Sequence, residues 1–91
     1  MAVGTLELHL PGVGSLKEKR RVLKGLKEKV KHRFGVAVAE VDNLDSWQRA
    51  TLGVASVSHD SRHANEVVSK AVAYIESLID GHVIDIQIEV L

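Results

Sequence analysis

The hydrophobic pattern of this chain changes period along its length, and the order of those changes limits the fold most strongly. Residues 5–10 alternate polar residues with leucine, and residues 84–90 alternate isoleucine or valine with polar residues. A period of two is expected of a strand with one buried face. Val36–Val41 and Arg49–Ser58 also read as strands. The segment before Val36 and the segment before residue 84 each have apolar residues at the spacing of a helix. The order predicts an α+β ferredoxin-like β-α-β-β-α-β sandwich, with a four-stranded antiparallel sheet and both helices on one face. We expect a single domain over residues 1–91.

Both predicted helices carry start and stop signals. Ser15 and Glu18 form a capping-box pattern, in which the Glu18 side chain would reach back to the amide of Ser15. Gly35 is placed to end that helix. The second helix has two competent N-caps, Asp60 and Ser61, and Gly81 is predicted to close it. The first helix has an apolar stripe at Leu16, Leu23, Leu26, Val30 and Phe34.

Composition excludes several classes of protein. The chain has no cysteine, so disulfides, thiolate metal sites and cysteine nucleophiles are excluded. Its first ten residues, MAVGTLELHL, read as a strand and not as a signal peptide. No apolar stretch approaches the roughly 20 residues of a membrane helix. We therefore expect a cytoplasmic protein with no membrane partner.

The charge of this chain is strongly bipolar. Nine of its twelve Lys and Arg residues lie in the 17-residue segment Lys17–Arg33, which has two Glu residues and a net charge of +7. The remainder therefore carries −7, although the whole chain has a net charge of zero. On a helical wheel, six cations share one side of the first helix with only Glu28 nearby: Lys17, Arg20, Arg21, Lys24, Lys27 and Lys31. A phosphate backbone would relieve the repulsion among them, so we predict that these residues contact RNA or the ribosome.

Two other interpretations of the basic helix stay open at this stage. Its cations could be solvated or paired with the acids of the same chain. They could instead meet an acidic protein or a second copy of this molecule. Lys19 falls among the apolar positions of the helix, and the interpretation that we favour is a lysine that snorkels at the core edge. The sharper interpretation is a cation at the buried edge that is paired with an acid such as Glu40 or Asp42.

The segment Ala39–Ala50 combines carboxylates with the only tryptophan of the chain, Trp47. An exposed Trp beside a turn could anchor a partner. The plainer interpretation, which we favour, is that Trp47 caps the end of the sheet or the bottom of a helix. The carboxylates do not have the spacing of a known calcium loop.

The remaining candidates for chemistry are weak. His59, Asp60 and His63 lie at a strand-to-helix junction, where helix capping is a simpler explanation than metal binding. The Pro11–Ser15 loop opens a helix, as phosphate-binding loops do. It lacks a Walker pattern, and it lacks the loop arginine that acylphosphatase-type enzymes use. We predict no catalytic residue, cofactor, metal or small-molecule substrate, and an acylphosphatase-like activity is the remote alternative.

One face of a four-stranded sandwich stays uncovered. The first and last strands would show polar side chains there, and the middle strand would show Thr51, Gly53 and Ala55 if Leu52 and Val54 face inward. Such a flat surface, partly polar and partly small, suits a homodimer. The sequence does not select the surface used.

Four motifs resemble the bacterial YlxP-like family: SLKEKR (Ser15–Arg20), RFGVAVAEV (Arg33–Val41), DSWQRATLGVA (Asp45–Ala55) and HANEV (His63–Val67). Members are small proteins of unassigned function with a ferredoxin-like fold, and their genes commonly lie beside those of translation initiation and ribosome maturation factors. The resemblance implies a link to RNA or the ribosome. The matching motif residues are Ser15, Leu16, Lys17, Lys19, Arg20, Trp47, Gln48 and Arg49, of which we single out Lys19, Trp47, Gln48 and Arg49 as partner contacts.

The function predicted from the sequence is a non-enzymatic RNA- or ribosome-associated binding module that uses its basic first helix. The alternative is a protein-interaction or homodimerising module with no role in nucleic-acid binding.

Overall fold

The structure is a computed structural model that describes all of residues 1–91. Its six elements are β1 (Ala2–His9), α1 (Leu16–Phe34), β2 (Ala37–Asp42), β3 (Arg49–Ser56), α2 (Ser61–Leu78) and β4 (His82–Val90). This order confirms the predicted ferredoxin-like α+β sandwich. Neither helix has the length and apolarity needed to cross a membrane.

The strands form one antiparallel sheet in the order β2-β3-β1-β4. In the middle of the sheet, Leu6 of β1 lies opposite Leu52 of β3 and Ile86 of β4. Directly paired residues point to the same face of a sheet, so these three side chains all lie on the helix side. α2 packs over β1, β3 and β4, whereas α1 packs against α2 and β2. The basic helix therefore lies toward the β2 edge of the molecule.

The core is built entirely from aliphatic side chains. Its 18 buried residues are all Ala, Val, Leu or Ile, and they include Leu6, Leu8 and Leu10 of the predicted first strand. Leu52 and Val54 also face inward, so Thr51, Gly53 and Ala55 of the same strand lie on the uncovered face. Phe34 and Tyr74 pack against this core and contact each other edge to face, with ring centroids 5.5 Å apart. Apart from these aliphatic residues, the only buried side chain is that of Lys19.

The predicted caps Ser15 and Asp60 and the predicted stop Gly35 are all present, but the predicted stop at Gly81 is not. Gly35 adopts the left-handed conformation, with φ 64°, and its amide donates to Lys31 O at 2.9 Å. Asp60, one of the two predicted caps, accepts from the amides of Arg62 and His63. The exception is Gly81: α2 ends at Leu78, and Ile79 has already left the helix. A Cβ at position 81 would collide with the carbonyl oxygen of His9, so Gly81 permits close approach to the end of β1.

Because β4 lies at the edge of the sheet, its aliphatic side chains are more exposed to solvent than those of the central strands. Ile86 and Ile88 are each 37% exposed and Val90 is 50% exposed, although all three lie on the helix side of the sheet. α2 does not reach far enough to cover them.

Candidate interaction surface

The N-terminus of α1 is closed by side chains from its own loop and first turn. Ser15 Oγ accepts a hydrogen bond from the Glu18 amide at 3.1 Å. The Glu18 carboxylate accepts from the Gly14 amide at 3.0 Å, and not from Ser15 as the capping-box pattern predicts. A carboxylate therefore lies where a phosphate would have to approach the Pro11–Ser15 loop. This placement makes the loop a poor anion site and weakens the acylphosphatase-like alternative.

Six cations form the exposed side of α1, which we call the basic face. Five of them are exposed and the sixth, Lys27, is half-buried. An adjacent side of α1 is buried in the core through Leu23, Leu26 and Val30. Along a helix that rises 1.5 Å per residue, the basic face extends over about 20 Å. Its members are Lys17, Arg20, Arg21, Lys24, Lys27 and Lys31.

No residue of the basic face forms an ion pair. The molecule has two salt bridges, Lys19–Glu40 and Arg49–Glu7, and neither uses a cation of that face. The structure therefore does not contain the ion pairs between the basic face and acids of the same chain that one interpretation of the sequence required. A concentrated, unpaired positive field remains available to an external anionic partner.

A shallow groove lies beside the basic face, between α1 and α2. Its apolar floor includes Val22, Gly25 and Leu78, and Arg21 and Lys29 lie at its rim. A Cβ built on Gly25 would have nothing within 4 Å, so this mid-helix glycine opens the groove and relieves no clash.

Lys19 is a buried cation, and the expectation of a snorkelling side chain is wrong. The residue is 1% exposed, and its Nζ lies 2.8 Å from Glu40 Oε2. The ammonium also donates to the carbonyl oxygens of Asn43 at 2.9 Å, Arg49 at 3.2 Å and Leu44 at 3.4 Å. The Glu40 contact is an ion pair without hydrogen-bond alignment, because Glu40 Oε2 accepts no hydrogen bond. Lys19 is thus inaccessible, and we leave it out of the contact surface.

The β2–β3 loop is held in one conformation by these and other contacts. Asn43 has a positive φ of 59°, and its Nδ2 donates to Thr51 Oγ1 at 2.8 Å. The amide of Arg49 donates to Ser46 Oγ at 3.1 Å. The sequence marks this segment as a turn, but it does not reveal that Lys19 of α1 organises it. A rigid loop can present a side chain to a partner at low entropic cost.

That loop leaves two large apolar side chains in solvent. Trp47 is 55% exposed and Leu44 is 59% exposed. The favoured interpretation of Trp47 as a packing residue does not fit this exposure. Leu44 was not singled out from the sequence, because an isolated leucine in a turn carries no signal of its own. Together they give the loop an apolar tip next to the start of α1.

The side chains of Gln48 and Arg49 bond the β2–β3 loop to neighbouring elements and are not part of its apolar tip. Gln48 Nε2 donates to the carbonyl oxygens of Pro11 and Val13, both at 3.2 Å. The β2–β3 loop is therefore bonded to the loop before α1 as well as to α1 itself. The Arg49 guanidinium donates to Glu7 Oε1 at 3.2 Å on the uncovered face of the sheet.

The uncovered face of the sheet is divided into two halves. The β1–β4 half shows Thr5, Glu7, Asp85, Gln87 and Glu89, in agreement with the predicted polar face. The β2–β3 half is an apolar patch of small or aliphatic residues, in which the side chain of Val41, itself 56% exposed, packs over Gly53. Its other members are Ala37, Ala39 and Ala55, and Val3 of the neighbouring β1 borders it.

The segment that contains His59, Asp60 and His63 leads into α2 and caps it. Asp60 caps α2, and His63 lies in the first turn of that helix. We find no group of three or more His, Asp or Glu side chains arranged to hold a metal ion.

Comparison with known proteins gives two matches. The family model described as "Protein of unknown function (DUF503)" matches residues 1–88. The chain is also 39% identical over 64 residues to "Uncharacterized protein YlxP" of Bacillus subtilis (strain 168), a match that covers 70% of each chain. Both matches agree with the YlxP-like resemblance of the sequence motifs.

Proposed function

Starting from the membership of this chain in the DUF503, YlxP-like family, we propose that it is an RNA-binding module whose basic face contacts phosphate groups. The observation that supports the proposal is the complete lack of internal ion pairs on that face. Six cations held along about 20 Å of one rigid helix repel one another unless an external anion is present. A nucleic-acid backbone provides anions at regular, close spacing along its length.

The recognition mode follows from the side chains available. Lys and Arg on a helix surface contact phosphate oxygens and carry no sequence information unless they reach base edges. The uncovered face has no Phe, Tyr or Trp on β1 or β3, so it lacks the stacking platform of RNA-recognition domains. The module therefore binds RNA with low sequence preference and strong dependence on salt.

Trp47 adds a stacking contact to this footprint. Its loop is bonded to α1 through Lys19 and to the loop before α1 through Gln48. The loop that carries the exposed indole is thus joined to the N-terminal part of α1, where Lys17 begins the basic face. An unpaired base can stack on such a ring while its phosphates meet the first cations.

The test is binding to labelled ribosomal and generic RNA, measured by fluorescence polarisation from low to physiological salt. We expect micromolar or tighter binding, with a slope of log K against log salt of about −4 if all six cations meet single-stranded phosphates. Lys24→Glu/Lys27→Glu should abolish it. The matched control is Arg62→Glu/Lys70→Glu, which makes the same charge change at exposed positions of α2. Equal loss in both double variants, or no binding at low salt, contradicts the proposal.

A second candidate function is a homodimerising module that uses the apolar patch of the uncovered face. The observation in its favour is the exposure of Val41 among small side chains that would let two sheets approach closely. Light scattering across ionic strength tests it. A dimer that persists in high salt and dissociates in Ala39→Glu supports the apolar patch, and a monomer under all conditions rejects it.

A further inference from the structure

β4, at one edge of the sheet, carries a row of aliphatic residues that remain partly exposed. Four aliphatic residues follow this strand, and they are 37% to 50% exposed. We call them the β4 strip: Ile84, Ile86, Ile88 and Val90. Three of these residues lie directly opposite buried or covered positions of β1, whereas Ile84 falls at a register shift and has no partner there. An aliphatic row of this length at a sheet edge is typical of an interaction surface.

The strand also presents unpaired backbone groups. β4 is the last strand of the sheet and pairs only with β1, so the groups on its outer side have no strand to bond. Proteins usually protect such an edge with a bulge, a proline or inward-pointing charges. Here the irregularity is confined to the beginning of the strand, and Asp85–Val90 pairs with β1 in a continuous register. This segment is a regular template for one more strand.

Three carboxylates belong to β4 itself and to the helix that packs over it. Asp85 and Glu89 lie on the opposite face of the same strand. On α2, Val72 packs beside Ile88 around Gly4, and Glu76 follows Val72 by one helical turn. None of these three acids forms an ion pair, and the one polar side-chain contact among them is a hydrogen bond from Gln87 Nε2 to Asp85 at 3.4 Å.

We propose that β4 accepts an extended basic segment of a partner protein as a fifth strand of the sheet. The segment would alternate aliphatic residues with Lys or Arg. Its aliphatic residues would cover the β4 strip, its cations would meet the unpaired carboxylates, and its backbone would bond the free edge. This is strand addition, in which the main chain provides affinity and alternate side chains provide specificity.

Charge makes a second copy of this chain a poor occupant of the same edge. If two β4 strands paired antiparallel about Gln87, the register in which the two strips overlap most evenly, each Asp85 would lie opposite a Glu89 of the other copy. Like charges in directly opposed positions destabilise that strand pair, and a register shifted by one residue on each strand avoids the clash. A basic strand converts the same positions into favourable pairs.

The proposal goes beyond RNA binding and does not depend on it. β4 and β2 are the two opposite edges of the sheet, and α1 packs over the β2 side. A strand on β4 therefore leaves the basic face free. One molecule can bind an anionic partner and a basic partner at the same time.

The experiment is titration of the ¹⁵N-labelled protein with a nine-residue peptide that alternates valine with lysine, followed by NMR of the backbone amides. The matched peptide has glutamate in place of each lysine. We expect the lysine peptide to bind at least tenfold more tightly, with the largest shifts in Asp85–Val90. Asp85→Asn/Glu89→Gln should weaken that binding about tenfold, whereas Asp45→Asn/Glu66→Gln, with the same loss of charge at other exposed positions, should not.

Other results overturn the proposal. Equal binding of the two peptides, shifts centred on β2, or no binding at millimolar peptide each reject a basic strand at β4. A dimer in sedimentation that Ile86→Lys dissociates would instead assign this edge to a second copy. The carboxamide variants preserve the size of the side chains they replace, so the test holds even if Ile86→Lys fails to fold.

Discussion

The ammonium of Lys19 and the carboxylate of Glu40 lie 2.8 Å apart, with the lysine 1% exposed and the glutamate 14% exposed. This pair joins α1 to β2, and the same ammonium bonds three carbonyl groups at the ends of β2 and β3. Removing one member of a buried pair leaves the other charge without compensation, which typically costs about 3 to 5 kcal/mol.

Lys19→Met should therefore lower the free energy of unfolding by about 3 kcal/mol, because Glu40 and three carbonyl groups lose their cation. Urea unfolding followed by Trp47 fluorescence measures this change. Lys29→Met removes an exposed lysine of the same helix that forms no ion pair, and it should change stability by less than about 0.5 kcal/mol. Equal urea midpoints for the two variants would show that the buried pair has no net stabilising effect.

Gly81→Ala should destabilise the protein because the new Cβ would collide with the backbone of His9. Either β4 must shift against β1 or the strain must be accepted, at a cost of about 1 to 3 kcal/mol. Thermal unfolding by circular dichroism provides the measurement. Gly12→Ala is the control, since a Cβ there has nothing within 4 Å. A Gly81→Ala protein as stable as the control would contradict the close approach.

Gly25→Ala should have the opposite effect and raise the free energy of unfolding. Gly25 lies inside α1 with open space around its absent side chain, so alanine should stabilise the helix by about 1 kcal/mol. Chemical denaturation would detect this as a higher midpoint at an unchanged slope. In contrast, Gly35→Ala places a Cβ on a residue with φ 64° and should cost about 1 kcal/mol. A decrease in stability for Gly25→Ala would mean that the groove beside the basic face needs the glycine.

Trp47→Ala should leave stability almost unchanged because the side chain is 55% exposed. If a base stacks on the indole, the same substitution should weaken RNA binding by about 1 to 3 kcal/mol, and Trp47→Phe should recover part of that loss. Since Trp47 is the only tryptophan, quenching of protein fluorescence by RNA reports on this contact directly. Polarisation that shows binding without quenching would place the loop outside the RNA footprint while leaving the basic face in it.

Local signals were sufficient to predict the order of the elements. The alternation in residues 5–10 and 84–90, the Ser15 and Asp60 caps and the Gly35 stop are all properties of neighbouring residues, and each is present in the structure. The same holds for the basic face, because a helical wheel needs only the sequence.

Long-range features were not accessible in the same way. The place of Lys19 depends on carbonyl groups from a loop more than twenty residues away, and helical periodicity can only mark the lysine as anomalous. The exposure of Ile86 and Ile88 depends on β4 lying at the sheet edge, where α2 does not cover it. Gly81 looked like a helix stop because the approach of His9 is a tertiary contact.

The pairing of β1 with β4 joins the first and the fourth strand of this sheet in chain order. Chains emerge from synthesis N-terminus first, so β1 exists without one of its two neighbours until β4 has been made. The sheet is complete only after its final nine-residue strand has been added. Pairings between distant segments slow folding, and a chain interrupted before β4 would expose the apolar edge of a central strand. For this topology, partial synthesis therefore yields an aggregation-prone product and not a smaller version of the same domain.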